Sequence, residues 1–530
     1  MGLLQTCIAS LVAASWWEIF LLFLLAPTSL ALYRVFLSPL SHIPGPRFAW
    51  VSSLFLYTVC YLGVEGRVLM YYHRKYRTQV LRIGPNAVSL SDPEALHTVY
   101  VADGGLPKDP RYSNFRVEGC DTIFSTLDPL YRDVRAKAVL PLFVPSRLRA
   151  SAENDGIIAE LVKKFIDILK TEKDIAHQQR AHGEGTRKVD VLDLTSKLSI
   201  DVLTKFLFKK VYGGLDEHLS APEPTSGAMA IGKGHKLSAT PFVLAIVAFG
   251  RFSLFPNWLF RMVFSLLVGP TLSKPEVAAS LNRISEYTAG IMDQYTVADA
   301  SSERFDRDTY QFRLLSAGIS YSETLIQCKA AMFAGADSTA VMLSTILFHL
   351  IQRPDVLQRL KSEINQHPLN VGDQTLPYLR AVIREGLRLG MANPARLTRI
   401  VSPEGAGLTV SGVYLPPGTI VGAAAYVFHH NPDIFPGPFE FRPERWMPGH
   451  VEGQQDEQAR RIMDKATFPF GLGSRACIGR NLAMQQLFAT VSAVAKSGVL
   501  EGATTCTEKI ELVEWFNAEI KGHHLDIQWL

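Results

Sequence analysis

The stretch Phe470-Gly-Leu-Gly473-Ser-Arg475-Ala-Cys477-Ile-Gly479 lies near the C-terminus, directly before a helix-compatible run from Arg480 to Phe488. Its glycines let the backbone turn tightly and approach a flat ligand, which residues with a Cβ would hinder. Cys477 then stands at the start of the helix, where free backbone N–H groups and the helix dipole favour a thiolate over a thiol. The stretch therefore predicts a loop that presents a thiolate to a flat ligand.

A thiolate is one of the axial ligands of haem iron, and it is the ligand that favours oxygen activation. The loop thus predicts a haem site with Cys477 as the iron ligand and Arg475 against a haem propionate. The alternative is a glycine-rich turn around a buried structural cysteine. The probability that a chain of this length contains this five-residue pattern by chance is on the order of 10⁻⁴ at average residue usage. The five residues are Phe470, Gly473, Arg475, Cys477 and Gly479.

The same five positions resemble the signature of the cytochrome P450 family, Phe-x-x-Gly-x-Arg-x-Cys-x-Gly. From Ser38 onward the resemblance covers essentially the rest of the chain. It implies a mainly α fold with a small β region, the cytochrome P450 fold, and haem b as the cofactor. It also implies that Phe470, Gly473 and Gly479 take part in binding that cofactor.

The composition is that of a globular protein with a large core: of 530 residues, 47% are hydrophobic and 20% are charged. A net charge of +4 is too small to indicate nucleic acid as a partner. The six cysteines are scattered without a Cys-x-x-Cys pair, so neither a disulfide framework nor a zinc site is indicated. These features, with the absence of an Asn-x-Ser/Thr sequon, favour a reducing compartment for the body of the protein.

The N-terminal residues 1–37 are predicted to be a membrane anchor. Between Leu3 and Leu37 only Glu18 and Arg34 are charged, and the run from Ile19 approaches the length of about 20 residues that a membrane helix needs. No Lys or Arg precedes the run, whereas Arg34 and Arg47 follow it. This asymmetry predicts a single-pass protein of the endoplasmic reticulum membrane, with a lumenal N-terminus and a cytosolic catalytic domain. A cleaved signal peptide is the alternative, but the basic n-region that it requires is missing.

Residues 38–47 are predicted to be a proline-rich hinge, and residues 48–530 the catalytic domain. Two short strands are expected around the Gly84-Pro85 turn, and amphipathic helices over 153–171 and 189–208. Short strands are also expected within 393–401 and 413–421. The apolar run from Pro241 to Leu267 predicts either core helices or a patch that dips into a membrane.

A long helix is predicted from the capping box of Ser320 and Glu323 to Gln352, where Arg353-Pro354 ends it. Its 32 residues would span about 48 Å at 1.5 Å per residue. Gly335 lies in the middle, at a cost of roughly 1 kcal/mol against alanine. Close approach to a flat cofactor and tight helix packing would each offset this cost.

The segment Ala334-Gly335-Ala336-Asp337-Ser338-Thr339 resembles the family pattern Ala/Gly-Gly-x-Asp/Glu-Thr-Thr/Ser, with serine in place of the first threonine. The resemblance implies that Asp337 and Ser338 deliver protons to bound oxygen. Thr339 lies about 100° further round the helix and is expected to serve as the hydroxyl only if the helix groove is distorted.

Further binding residues are implied by resemblance alone. The family has Trp-x-x-x-Arg on a helix that meets a haem propionate, and this chain has Tyr131 and Arg135 after the cap of Asp128 and Pro129. Arg399 occupies the place of another propionate-binding arginine, with Arg396 as the alternative.

Glu385 and Arg388 stand at i and i+3, where they are neighbours on one helix face. Such a pair is usually solvated and worth well under about 1 kcal/mol. With Arg445 in Phe-Arg-Pro-Glu-Arg they resemble the family's Glu-x-x-Arg and Pro-Glu-Arg elements. This resemblance implies a buried triad that stabilises the haem-binding core.

The function implied is a monooxygenase that acts on O2 and a small, largely apolar substrate. Because the sequence carries no flavin or dinucleotide motif, electrons would come from a separate NADPH–cytochrome reductase, a flavoprotein, with cytochrome b5 as an optional second donor. The hinge and the Phe-Ser-Thr-x-Asp-Pro segment are most similar to filamentous-fungal members that tailor secondary metabolites. The alternatives are an isomerase, dehydratase or peroxygenase on the same fold, and a non-enzymatic haem carrier or sensor.

Overall fold

The computed structural model describes residues 16–154, 156–183, 186–220, 251–293, 307–367, 374–449 and 454–530. The α-helices in these ranges are α1 Trp16–Leu32, α2 Arg47–Val51, α3 Leu54–Tyr61, α4 Glu65–Tyr76, α5 Pro93–Tyr100, α6 Pro129–Val139, α7 Pro145–Asn154, α8 Ile157–Ala181, α9 Val191–Phe208, α10 Gly214–Ser220, α11 Asn257–Val263, α12 Gly269–Leu272, α13 Pro275–Met292, α14 Tyr310–Ser316, α15 Tyr321–Gln352, α16 Pro354–Gln366, α17 Pro377–Gly390, α18 Ala425–His429, α19 Gln454–Ala466 and α20 Arg480–Ser497. The strands are β1 Val80–Gly84, β2 Ala87–Leu90, β3 Val189–Asp190, β4 Arg399–Ile400, β5 Leu408–Val410, β6 Val413–Leu415, β7 Ile420–Ala423, β8 Ala503–Thr505, β9 Leu512–Val513, β10 Glu519–Ile520 and β11 Asp526–Trp529. The mainly helical fold with a small β region agrees with the prediction.

Helix α15 runs through the largest hydrophobic core, packed against α9 on one side and α17 on another. The side chain of Ser320 caps it by accepting a hydrogen bond from the backbone N–H of Glu323 at 3.3 Å. The helix ends at Gln352, so both of its predicted ends are confirmed. Most of its second half is buried, which makes α15 the element against which the rest of the core is built.

The largest sheet has the strand order β1-β2-β7-β4. Strands β1 and β2 form the predicted antiparallel pair around the Gly84-Pro85 turn, with Leu81 opposite Ser89. Strand β7 runs parallel to β2 and antiparallel to β4, which pairs Arg399 with Val421. The sheet therefore fixes the position of Arg399.

The helix predicted over 153–171 differs from the observed helices at both ends. Residues 153 and 154 end α7, and Gly156 separates α7 from α8 in a left-handed conformation with φ +58°. Helix α8 continues to Ala181 because its apolar face does, with Leu169 and Ala176 buried.

The N-terminal prediction is described in part, since residues 1–15 lie outside the described residues. Helix α1 contains Pro27 and continues as a wider helical turn, Tyr33–Leu37. By length and composition, α15 is the one helix in the described ranges that could cross a membrane, and its burial is that of a core helix. Leu24–Leu37 and Asn257–Leu267 are shorter apolar helices.

The apolar run from Pro241 to Leu267 combines two kinds of environment. Residues 241–250 lie outside the described residues. Phe252, Phe255 and Phe260 form a small buried cluster with α3, whereas Trp258 and Met262 are exposed. The described part thus contains both core side chains and an exposed apolar face.

Candidate active site

A cavity of about 570 Å³ lies between α15 and the loop that carries Cys477. Helix α15 contributes Ala334, Gly335, Ser338, Thr339 and Met342 to its wall. Phe470, Gly471, Arg475, Cys477 and Gly479 from the cysteine loop line it as well. The cavity therefore joins the two segments from which the sequence predicts the chemistry.

The cysteine loop is closed by backbone hydrogen bonds. The N–H of Cys477 donates to the carbonyl of Phe470 at 2.8 Å, and the N–H of Ala476 donates to that of Gly473 at 3.1 Å. The Cys477 side chain is exposed to the cavity but lies inside the protein, and burial raises the pKa of its thiol. The N–H groups of Gly479 and Arg480 lower that pKa, as the sequence predicts, but they do not outweigh burial. A bound metal ion would supply the remaining stabilisation of the thiolate.

Gly473 has a different role from the predicted one. It does not line the cavity, and its φ of +65° favours glycine. A Cβ at this position would lie 1.8 Å from the carbonyl oxygen of Tyr100. Gly473 therefore lets the loop approach α5 closely and shapes the cavity from outside it.

One end of the cavity is strongly cationic: Lys108, Arg132, Arg399 and Arg475 all line it. No Asp or Glu lines it among the residues that the structure describes. Burial, Arg132 and Arg399 lower the pKa of Arg475 to about 10, and one of its Nη atoms is buried without a hydrogen-bond partner. Burial and the three arginines also hold the pKa of Lys108 well below its ordinary value. This end fits a ligand that carries negative charge.

Of the arginines predicted to bind propionates, Arg475 and Arg399 line the cavity. The alternative, Arg396, is buried in an ion pair with Glu65 away from it. Sequence reasoning missed Lys108, whose backbone bridges to Arg399 across the chain. It also missed Arg132, which lies one residue after Tyr131 and forms an ion pair with the half-exposed Asp133 at 3.1 Å.

Tyr131 and Arg135 require a correction. Both side chains bind Glu323 in the first turn of α15, with Arg135 Nη2 at 2.8 Å from the carboxylate, and neither lines the cavity. Hydrogen bonding from Arg135 and Tyr131 lowers the pKa of Glu323 despite its partial burial. Residues 131 and 135 share one face of α6, and that face meets α15. The arginine of α6 that lines the cavity is therefore Arg132.

Gly335 lines the cavity and also contacts α9. A Cβ on Gly335 would lie 2.7 Å from Cδ1 of Leu203. Of the two explanations for a glycine in mid-helix, this distance favours tight helix packing.

Two alcohols of α15 line the cavity. The hydroxyl of Ser338 donates to the carbonyl of Ala334 at 2.9 Å, one turn earlier in the helix. Thr339 is on the cavity wall too, in a stretch of α15 that remains α-helical.

Asp337 is 5% exposed and does not line the cavity. Val341, one turn further along α15, packs against Ile520 of β10, so this side of the helix faces the C-terminal segment. Burial raises the pKa of Asp337 to about 7, with His523 lowering it and Glu519 raising it further. Asp337 can therefore hold or release a proton near neutral pH.

The structure brings Glu385, Arg388 and Arg445 together in a buried cluster. Arg388 donates to both carboxylate oxygens of Glu385, at 2.9 and 2.7 Å, and Arg445 donates at 3.1 Å. Trp446 adds a fourth hydrogen bond at 2.9 Å. Burial would raise the pKa of Glu385, but the arginines outweigh it and the pKa is lowered.

The chain matches the family model described as cytochrome P450 over residues 44–496. It is 49% identical to a cytochrome P450 monooxygenase of Annulohypoxylon moriforme over 500 residues, covering 94% of this chain and 96% of the relative. It is 28% identical to the N-acetyltryptophan 6-hydroxylase of Emericella nidulans, covering 95% and 94%. It is 27% identical to a pisatin demethylase of Fusarium vanettenii, covering 89% and 85%. The chain therefore belongs to the cytochrome P450 family, and it is an oxidoreductase of the monooxygenase type.

Proposed function

We propose that this chain inserts one oxygen atom from O2 into a small, largely apolar organic substrate, and that it tailors a secondary metabolite of a fungus. The observation that carries the proposal is that Cys477 and the alcohols Ser338 and Thr339 line the same cavity. An axial thiolate and proton-handling groups are the parts that oxygen activation needs.

The cofactor of the family is haem, and the residues of the cavity fit it. Cys477 would bind the iron, and Lys108, Arg132, Arg399 and Arg475 would bind the two propionates. The unpartnered Nη atom of Arg475 is a donor suited to such a carboxylate. When bound, haem supplies the activation of oxygen, and the chain supplies the thiolate, the charges and the shape of the pocket.

The proposed role of α15 is to move protons. Asp337, with its pKa raised to about 7, is the proton store. The hydroxyl of Ser338, held by the carbonyl of Ala334, is the proposed donor on the cavity side, and Thr339 is the competing hydroxyl. The presence of an acid beside two alcohols favours a monooxygenase over an isomerase or dehydratase, which have no need to protonate oxygen.

Aromatic side chains support an apolar and flat substrate. Phe115, Phe124 and Phe516 line the cavity and contact one another, with ring centroids 4.5 Å apart for Phe115 and Phe516 and 5.3 Å for Phe115 and Phe124. Such a wall binds apolar rings by area and by ring geometry. The relative named for N-acetyltryptophan acts on a molecule with an aromatic ring, which agrees with this class.

We further infer that the protein is anchored in the endoplasmic reticulum membrane by residues 1–37, with a lumenal N-terminus and a cytosolic catalytic domain. In support, Trp16 and Trp17 are 87% and 76% exposed, and the exposed residues of α1 also include Leu21, Leu24, Leu25, Leu30 and Leu32. Trp258 and Met262 lie on a second exposed apolar face next to α3. A membrane-bound NADPH–cytochrome reductase is the proposed electron donor, with cytochrome b5 as an optional second one.

Reconstitution tests the proposed function. The haem-loaded protein, purified with NADPH–cytochrome reductase, is given NADPH, labelled dioxygen and a panel of small aromatic molecules. The expected product carries one labelled oxygen atom and forms only with both NADPH and reductase. Product that forms without electrons would instead identify an isomerase or dehydratase, and product that requires added peroxide a peroxygenase.

A further inference from the structure

The side of α15 that carries Asp337 is covered by the C-terminal segment. Val341 and Phe348 of α15 form a buried cluster with Ile520 and Leu525, which lie on either side of a tight turn. Residues 519–525 therefore lie along the helix on the side of Asp337, and the cavity lies on another side. Any proton that reaches Asp337 from this direction passes the polar groups of this segment.

Two of those groups form a pair that lies between solvent and the protein interior. His523 Nε2 is 2.9 Å from Glu519 Oε1, and the His523 side chain is 19% exposed. Glu519 is 8% exposed, and its Oε2 atom is buried without a hydrogen-bond partner. An unpaired buried carboxylate oxygen is costly, so its retention needs a reason other than stability.

The backbone conformation of His523 is a further observation on this pair. His523 has a φ of +58°, an uncommon conformation for a residue other than glycine. Asparagine tolerates this conformation and does not titrate, but histidine stands here. The turn at this position holds the imidazole beside the Glu519 carboxylate.

We propose that His523 and Glu519 are the proton-entry route to Asp337. The proposal rests on the proposed function, in which Asp337 is the proton store for oxygen chemistry. Protonated His523 gives its proton to the Glu519 carboxylate, and Glu519 passes a proton to the Asp337 carboxylate. His523 then takes a proton from water. One proton moves from solvent to Asp337, and no group is oxidised or reduced. His523 and Glu519 are thus relay residues that act through Asp337.

The charges of the pair agree with this assignment. Among the described residues, His523 and Glu519 are the charged groups that shift the pKa of Asp337, in opposite directions. Removing the imidazole should raise the pKa of Asp337 further. Removing the charge of Glu519 should lower it.

The first test uses the resting haem protein and needs no turnover. Infrared spectra across a pH series follow the protonated carboxyl band of Asp337, which Asp337→Asn identifies by its loss. Glu519→Gln should move the midpoint of that band to lower pH, and His523→Asn should move it to higher pH. His524→Gln is the matched control, because its ring is exposed and lies 2.9 Å from the carbonyl of Gly522. Equal midpoints in all three variants would overturn the proposal.

The second test measures NADPH oxidation by the reductase-coupled protein without added substrate, in water and in deuterium oxide. Both relay variants should slow the reaction by about tenfold and enlarge the solvent isotope effect, whereas loss of a positioned donor itself is worth about 10²- to 10⁴-fold. The CO spectrum of each variant verifies its fold, and Glu519→Gln carries the test alone if His523→Asn fails to fold. If NADPH oxidation is slow in Asp337→Asn but normal in Glu519→Gln and His523→Asn, the proposed route is rejected and the role of Asp337 is retained. If NADPH oxidation is normal in Asp337→Asn, the proposed role of Asp337 itself is rejected.

Discussion

Arg132 and Arg135 lie in the same turn of α6 but face different partners. Arg132 lines the cationic end of the cavity, whereas Arg135 binds Glu323. Arg132→Ala should therefore weaken haem binding, because a charge-assisted hydrogen bond worth about 1.5–3 kcal/mol is lost, which is roughly a tenfold to hundredfold faster haem loss. The measurement is the rate of haem transfer to apomyoglobin.

Arg135→Ala is the matched control for that experiment. It removes the same charge from the same helix and should leave haem transfer close to that of the unmodified protein. Faster haem loss from Arg135→Ala than from Arg132→Ala would restore the original assignment of Arg135.

Cys477 is the one cysteine of the described residues on the cavity wall. Cys477→Ser should abolish the long-wavelength Soret band of the reduced, CO-bound protein, since serine cannot supply a thiolate. Cys506→Ser, at a partly exposed site that does not line the cavity, should retain the band. A normal band in Cys477→Ser would reject Cys477 as the iron ligand.

Among individual site residues, the sequence identifies those whose role depends on a local pattern. The cysteine loop, Arg399 and the triad of Glu385 are carried by short motifs with fixed spacing. Arg132 and Lys108 were missed because their position depends on how α6 and the strand region near Arg399 meet in space. Charged side chains that come together from distant segments of the chain produce no pattern in the local sequence.

Among the elements, α15 carries two alcohols on the cavity wall. If Ser338 is the proton donor on the cavity side, Ser338→Ala should keep the CO spectrum but release more of the consumed oxygen as hydrogen peroxide. The measurement is peroxide, and product where a substrate is known, per NADPH consumed.

Thr339→Ala is the comparison on the same helix, and it should keep normal coupling. The reverse result, with coupling lost only in Thr339→Ala, would assign the role to Thr339. Because both side chains line the cavity, the structure makes this comparison necessary.

The elements themselves were largely predictable where their ends carry a cap. Ser320 and Asp128 each accept a hydrogen bond from the first turn of the helix they precede, and these starts were predicted. The packing of β10 on α15 was not predictable. It joins residues almost two hundred positions apart through four apolar side chains that are unremarkable in the sequence.

For the whole molecule, the Glu385 cluster joins α17 to the loop around Arg445. The pKa of Glu385 is lowered in the folded state, so its contribution to stability is present above its ordinary pKa and is lost as the pH falls through the lowered value. Glu385→Gln should lower the unfolding midpoint near neutral pH, because breaking a buried pair costs about 3–5 kcal/mol. It should also weaken the dependence of folding stability on pH in the acid range (the acid limb of the stability curve), which is measured by circular dichroism.

Asp464→Asn provides the control for the buried cluster. Asp464 pairs with Arg384 of the same helix α17, but its side chain is 53% exposed. An exposed pair is worth about 0–1 kcal/mol, so the acid limb should keep its shape. An acid limb that is unchanged in Glu385→Gln would show that other carboxylates determine it.

Deletion of residues 1–37 tests the proposed anchor. Much of the truncated protein should leave the membrane fraction, because the exposed leucines of α1 are removed. Trp258→Ser with Met262→Ser, made in the full chain, should leave most of the protein membrane-bound. Complete retention of the truncated protein would instead make the face around Trp258 the dominant anchor.

The cationic end of the cavity also links cofactor loading to pH. Lys108 has a lowered pKa because it is buried among Arg132, Arg399 and Arg475. Two propionates placed there would raise that pKa, so haem binding and protonation of Lys108 favour each other. This coupling makes haem affinity greater at lower pH and weaker in alkaline buffer. The yield of loaded protein would then depend on the acidity of the medium as well as on the supply of haem.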